Sequence, residues 1–212
     1  MKLGIVSGLR SEQVVLSGIE AQFYVSGASA ARAFEGSKEL VDKGVEALVS
    51  FGVSGGLSEG LDPGTLLLPD TVIGPDGACF QTAEVAGRGV TDPAFGSDVL
   101  VTSSEAKREL HNLWGAASVD MESHAVGRAA QDAHLPFFAI RTIADTVDQI
   151  LPPAAGGAVA EDGSINTLRT LMGLLARPQD LPALIALGRQ SATAHETLRS
   201  EGRRLIEALT ER

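Results

Sequence analysis

Asp120 and Glu122 stand where a short apolar run, Ala116 to Val119, gives way to helical spacing, and Asp145 stands where a longer one, Phe137 to Ile143, ends. In an open α/β sheet such junctions face the ligand crevice. Carboxyl groups placed there exchange protons and accept hydrogen bonds from bound groups. Glu122 and Asp145 are therefore expected to share one pocket although they are distant in sequence. Glu12 follows a first apolar strand and the turn that opens the next helix, with Arg10 beside it near the crevice mouth. From position alone Glu12 reads as a first-turn acid favoured by the helix dipole. Gly52-Val53-Ser54-Gly55-Gly56-Leu57, after the buried run Ala47 to Phe51, reads as a glycine-rich loop. Its backbone N–H groups could hold a phosphate, a ribose or a nucleophilic water, and a tight connection without ligand fits it equally. It is neither a dinucleotide fingerprint nor a Walker loop, because the spacing differs and no Gly-Lys-Ser/Thr follows.

The elements that must position these residues are legible as alternating strands and helices. Leu3 to Val6 and Gln22 to Ser26 are strands, and Ala30 to Lys43 is a helix closed by Gly44. Thr65 to Leu68, Asp70 to Ile73 and Cys79 to Thr82 form an antiparallel excursion that makes the sheet mixed. Glu84 to Ser97, rich in glycine and without clear period, is expected to be a mobile loop near the site. Val99 to Thr102 reads as a strand, and Ser103 caps a helix reaching Leu113 or Trp114, with His111 in a packing or surface role. Ala125, Val126, Ala129, Ala130 and Ala133 recur at helical spacing, and Gly127 lets that helix lie close to a sheet. The run from Phe137 is a central parallel strand buried on both faces.

Beyond Asp145 the pattern changes. Ile150 to Pro153 breaks periodicity. One helix carries Ile165, Leu168, Leu171, Met172 and Leu175, and a second, capped by Asp180, carries Leu181, Leu184, Ile185 and Leu187. Core packing, an oligomer interface and the wall of a lipid site compete for that apolar surface, core packing being the usual outcome. A charged final helix, Ala192 to Leu209, is expected to cover the outside. The fold class is α/β, a three-layer α/β/α arrangement with a mixed, mostly parallel sheet, in one domain spanning 1–212 with a helical C-terminal part, 150–212.

With 27 acidic against 17 basic residues and a net charge of -10, the chain lacks the clustered cations of a nucleic-acid surface. Its one cysteine, Cys79, excludes an intrachain disulfide or a cysteine zinc site and reads as a small buried or half-buried hydrophobe. No apolar stretch reaches the ~18 residues of a membrane span, and Met1-Lys2 runs into an apolar segment too short for a signal peptide. A cytoplasmic location is the expectation.

Val119-Asp120-Met121-Glu122-Ser123, the strand ending Ile143-Ala144-Asp145, the Gly4-Ile5-Val6 strand with Glu12 after it, and Gly52 to Leu57 together resemble the purine nucleoside phosphorylase and nucleosidase superfamily. The methylthioadenosine/S-adenosylhomocysteine nucleosidases look nearest among its main branches. Leu151-Pro152-Pro153 and the segment Leu171 to Gly188 are similar to the hopanoid-associated phosphorylases, which are linked to removing adenine from adenosylhopane.

That resemblance implies cleavage of the N-ribosidic bond of a 5'-substituted adenosine, adenosylhopane to ribosylhopane in hopanoid biosynthesis, with phosphorolysis as the rival. Asp145 matches the general acid that protonates adenine, and Glu122 the carboxylate, ionised, that holds the ribose hydroxyls, with Met121 packing on the sugar. Glu12 matches the acid that activates water, which replaces the helix-dipole reading. Asp120, Ser54, Gly55 and Arg10 are the further substrate-binding candidates; Arg10 and, more weakly, Arg141 would hold phosphate in the rival reaction. No cofactor or metal is implied, water being the nucleophile, or inorganic phosphate in the rival. A lipid-linked substrate implies transient contact at the inner membrane face, and the family likeness implies a homodimer or larger assembly. The chain departs from the nucleosidases at Val53, where they have a small hydroxyl residue, at Ala144, where serine is common, and at Ser104 to Lys107, where they place an aromatic residue against adenine. Phe80 and Phe137 are the substitutes offered for that stacking.

Overall fold

The computed structural model describes residues 1–85, 89–152, 159–160, 162–164 and 178–212. Its strands are β1 (Leu3–Ser7), β2 (Gln22–Val25), β3 (Ala47–Gly56), β4 (Leu66–Leu67), β5 (Thr71–Ile73), β6 (Cys79–Gln81), β7 (Ala94–Gly96), β8 (Ser118–Asp120) and β9 (Phe137–Asp145). The helices are α1 (Arg10–Val15), α2 (Ala30–Asp42), α3 (Ser104–Trp114), α4 (Ser123–Asp132), α5 (Leu181–Thr197) and α6 (Arg203–Thr210). A π turn, Leu198–Gly202, joins the last two.

All nine strands form one sheet in the order β2-β1-β3-β8-β7-β5-β6, with β9 beside β3 and β4 beside β9. The β1–β2, β1–β3, β3–β9, β5–β7 and β7–β8 pairs are parallel and the others antiparallel. β3 is the axis: its first half pairs with β1 and β9, and its last two residues turn to pair with β8. A register shift between Ser54 and Gly55 makes that transfer, as a bulge does, and Gly55 comes to lie opposite Asp145.

Period-2 alternation sends successive side chains of the central strands into two cores. Ile5, Val49, Phe51, Phe138 and Ile140 pack with Leu198, Leu205, Ile206 and Leu209 on one face. Val6, Leu48, Phe137 and Ala139 pack on the other with Ala33 and Leu40 of α2 and with Ala125, Val126, Ala129 and Ala130 of α4. Arg141 continues the series of Phe137 and Ala139, so its side chain enters the α4 face.

Several expected elements are displaced. Gly52 to Gly56 is not a loop but the second half of β3, because its backbone pairs with β9 and β8. Val99 to Thr102 forms no strand; the strand is Ala94–Gly96, inside the segment expected to be a mobile loop, wedged between β5 and β8. Residues 86–88 of that segment lie outside the described residues, as do Ile165, Leu168, Leu171, Met172 and Leu175 of the expected first C-terminal helix. The final helix is not an outer cover: Ala194, Leu198, Leu205, Ile206 and Leu209 are buried, and the helix runs on from α5. Asp180 makes no side-chain cap, and α5 leaves Leu181 and Ile185 about half exposed rather than packed in a core. Cys79, on β6, is exposed rather than buried.

Gly127 does what its place in α4 requires. A Cβ there would stand 2.7 Å from Phe80 Cβ and 3.0 Å from Phe137 Cε1. Replacing it with leucine overpacks the α4 core, costing about 1–3 kcal/mol. Thermal denaturation should show Gly127→Leu melting ~2–4 °C lower per kcal/mol lost; an unchanged Tm would contradict this packing.

Candidate active site

The carboxyl ends of β1, β3 and β9 and the start of α4 enclose one pocket, lined by Glu12, Ser54, Gly55, Asp120, Met121, Glu122 and Asp145 among others. Each acidic group reaches it through a different device.

Glu12 arrives by a capping box. Its Oε2 accepts from the backbone N–H of Leu9 at 2.8 Å, closing the first turn of α1, and its Oε1 accepts from that of Val53 at 2.8 Å. The carboxyl group lies flat against β3, where a Cβ on Gly52 would be 2.5 Å from Oε1; only glycine permits the approach. Burial pushes the Glu12 carboxyl above the ordinary carboxylate range, against the opposing pull of Arg141 and the two backbone donors.

Asp120 ends β8 and turns the chain into α4. Its Oδ1 accepts from the backbone N–H groups of Glu122 and Ser123 at 2.8 and 2.7 Å and from Arg141 Nη2 at 3.1 Å. Its Oδ2 is buried and has no hydrogen-bond partner among the described residues. One oxygen of Asp120 thus builds the corner, and the other remains for a ligand.

Glu122 stands at the corner, with Oε2 3.5 Å from Arg141 Nη2. A Cβ on Gly8 would be 2.7 Å from its Oε1, so β1 also needs glycine where it passes the carboxyl group. Burial pushes the Glu122 carboxyl up to about 8; Arg141 opposes that rise, and the charges of Asp120 and Glu12 reinforce it. In the empty pocket at neutral pH Glu122 is therefore mostly protonated, not ionised as expected. One cation facing three carboxyl groups does not keep them all charged.

Arg141 holds this corner together. It is fully buried, donates to the hydroxyls of Ser50 and Ser123, with Nη2 2.9 Å from Ser123 Oγ, and reaches the Val53 carbonyl at 3.4 Å. β3, β8, β9 and α4 thereby meet at one guanidinium.

Asp145 closes the far side. Its Oδ2 accepts from Lys107 Nζ, a fully buried ammonium on α3. Burial raises the Asp145 carboxyl above its ordinary value, while the charge and hydrogen bond of Lys107 act against the rise. Support that a serine at position 144 would have given comes here from α3.

Of the residues expected at the site, Asp145, Glu12, Glu122, Met121, Gly55, Ser54 and Asp120 all line the pocket. Arg10 does not. Its side chain is 61% exposed and pairs with Asp162 at 3.0 Å, because at the first position of α1 it projects to solvent while Glu12 turns inward. Phe80 and Phe137 are also excluded, being buried in the core between the sheet and α4. The wall is instead aliphatic, with Val99, Leu100, Val101, Val119 and Leu151. Lys107 and the structural part of Arg141 went unread. The signals were present: Lys107 shares spacing i, i+3, i+7 with Leu110 and Trp114, and an arginine within a doubly buried strand requires an acidic partner.

A crevice at strand carboxyl ends, lined by carboxyl groups and aliphatic side chains, defines an α/β protein built to bind and protonate a small organic ligand. The chain belongs to the phosphorylase superfamily, whose family model matches residues 13–97 and 93–166. No curated protein matches it in sequence. Among solved structures it is similar to the 5'-methylthioadenosine/S-adenosylhomocysteine nucleosidase of Helicobacter pylori, with a TM-score of 0.68, 16% identity and 98% of each chain covered. The futalosine hydrolase of the same organism gives 0.67 and 18%, over 98% of this chain and 97% of that one. The nucleosidase of Colwellia psychrerythraea, solved with adenine, gives 0.62 and 17%, over 83% and 95%. At these identities the likeness is one of fold.

The raised Glu122 pKa has a consequence for stability. Below its unfolded value of 4.5 both states are protonated. Above it the unfolded chain ionises and the folded chain does not, so stability falls with rising pH until the folded group ionises near 8. The slope approaches ~1.4 kcal/mol per pH unit for one fully shifted group. Melting curves across that window should show wild-type Tm falling with pH more steeply than that of Glu122→Gln; parallel curves would contradict the assignment.

Proposed function

We propose that this protein cleaves the N-ribosidic bond of a 5'-substituted adenosine with water, releasing adenine. One observation carries the reading: Glu12, Glu122 and Asp145 open on a single pocket whose described lining contains no lysine or arginine. Breaking that bond leaves electron density on the base and positive charge on the sugar. Asp145, held in its raised-pKa setting at the end of β9, is placed to give the base a proton. Glu122, neutral in the empty pocket, has both a donor and an acceptor for the ribose hydroxyls, and Met121 supplies an apolar surface for the ring. Glu12, fixed by two backbone donors, takes a proton from the attacking water.

Phosphorolysis would need cations around the anion, and the turn of Arg10 away from the pocket weighs against it, as does the repulsion between Glu12 and phosphate. The aliphatic wall supports a substrate with an apolar 5' substituent, and we assign adenosylhopane as that substrate, met at the inner membrane face. No described helix is long and apolar enough to cross a membrane, so that contact would be peripheral.

Incubation with adenosylhopane and with methylthioadenosine, each with and without phosphate, followed by identification of the sugar, tests the reading. Free adenine and a non-phosphorylated sugar are expected in both buffers. Turnover that begins only when phosphate is added would contradict hydrolysis. Efficient cleavage of methylthioadenosine alone would remove the lipid substrate. Asp145→Asn should lower kcat by about 10²–10⁴-fold, the usual worth of a general acid, with the protein still folded.

A further inference from the structure

Lys107 lies on α3 and is fully buried, yet none of the roles above uses it directly. Its ammonium faces three acceptors: Asp145 Oδ2, the Thr146 carbonyl at 2.7 Å and the Gln149 carbonyl at 3.1 Å. A neutral amine has two N–H groups and an ammonium three, so three acceptors call for the charged form. Further contacts clasp the start of α3 to the segment after β9. Ser104 Oγ donates to the Asp148 carbonyl at 3.0 Å, Arg108 pairs with Asp148, and the Leu151 N–H donates to the Thr102 carbonyl at 2.9 Å. This clasp fixes Lys107 against one oxygen of Asp145 and leaves the other without a partner in it. The further ionisable groups of the pocket are Asp120, Glu12 and Glu122, from β8, α1 and the β8–α4 corner; Lys107 is the cation on the Asp145 side.

We propose that Lys107 is a positioning residue that occupies Oδ2 of Asp145, so that Oδ1 carries the proton given to the leaving base, and that its charge stabilises the carboxylate left behind. The inference rests on the adenine-releasing reading. In that reaction the ribosyl C–N bond breaks with its electron pair going to the base, and the base takes the Oδ1 proton. Water forms the new C–O bond and loses its proton to Glu12, and solvent returns that proton to Asp145. The sum is nucleoside plus water giving sugar plus adenine, with Asp145 ionised only between the two transfers. During that interval its partner is Lys107.

The test compares wild type, Lys107→Met and Lys107→Arg by ¹³C carboxyl titration of Asp145 and by the pH profile of adenine release from methylthioadenosine. Removing the cation removes an influence that lowers the Asp145 pKa. In Lys107→Met the titration midpoint should therefore rise and the alkaline limb of kcat should move up with it. Its kcat should fall about 10–100-fold with KM changed less than about threefold, and arginine should restore the midpoint and most of the rate. A folded Lys107→Met with unchanged midpoint and limb would overturn the proposal, leaving Lys107 as packing. If that variant does not fold, the wild-type Lys107 ¹⁵Nζ resonance decides: it should shift as Asp145 titrates, and indifference to that titration would overturn the proposal. A raised midpoint in Lys107→Met, with wild type releasing no adenine, would keep Lys107's hold on the Asp145 proton and strike down the adenine-releasing reading alone.

Discussion

The Arg141 guanidinium is the constraint on which the rest of the structure depends. It sits on β9 with no exposure to solvent, between Asp120, Glu122 and the hydroxyls of Ser50 and Ser123. A charge so placed is tolerable only when paired, and removing one partner of such a pair costs about 3–5 kcal/mol. The requirement runs both ways. Arg141 needs the β8–α4 corner to be built around Asp120, and the corner needs Arg141 to keep two neighbouring carboxyl groups from repelling each other. Because Ser50 belongs to β3, the contact also sets how β8 and α4 meet the central strands.

The same crowding explains the glycines. Gly8 and Gly52 are the positions where a Cβ would strike the Glu122 and Glu12 carboxyl groups, and Gly55 lies 3.3 Å, measured from its would-be Cβ, from Asp145. Backbone and carboxyl groups therefore approach one another more closely than side-chain-bearing strands would allow. The result is a pocket whose acids are dehydrated and share too little positive charge. That environment raises Glu12, Glu122 and Asp145 together, each for the same first cause. Their positions divide the labour: one is held by backbone amides, one by a shared arginine, and one by a lysine of its own.

Much of the scaffold was legible because long elements carry their own period. The strand from Phe137, the helix after Glu122 and the helix capped by Ser103 stand where spacing and caps put them. Short strands were not legible. β7 has three residues, and its pairing with β5 and β8 is a tertiary fact that no local pattern encodes. Val99 to Thr102 has the composition of a strand, but its apolar side chains serve as pocket wall, with Val99 68% exposed. Glycines between Gly52 and Gly56 looked like a turn because a strand seldom holds so many; here they make room for acids. The carboxyl groups of the site were readable from their places at strand ends, whereas the cations that set their protonation were not. Lys107 and Arg141 act from the interior, where sequence alone leaves a buried charge without a visible partner.

The account's central claim is that three dehydrated carboxyl groups share too little positive charge to stay ionised in the empty pocket. A ¹³C carboxyl titration of the ligand-free protein, with Glu12 and Glu122 resolved, tests it most directly. The structure predicts a midpoint near about 8 for Glu122 and one above the ordinary glutamate value for Glu12. Midpoints at ordinary glutamate values for both would contradict the account, because they would mean that Arg141 suffices to keep both groups charged.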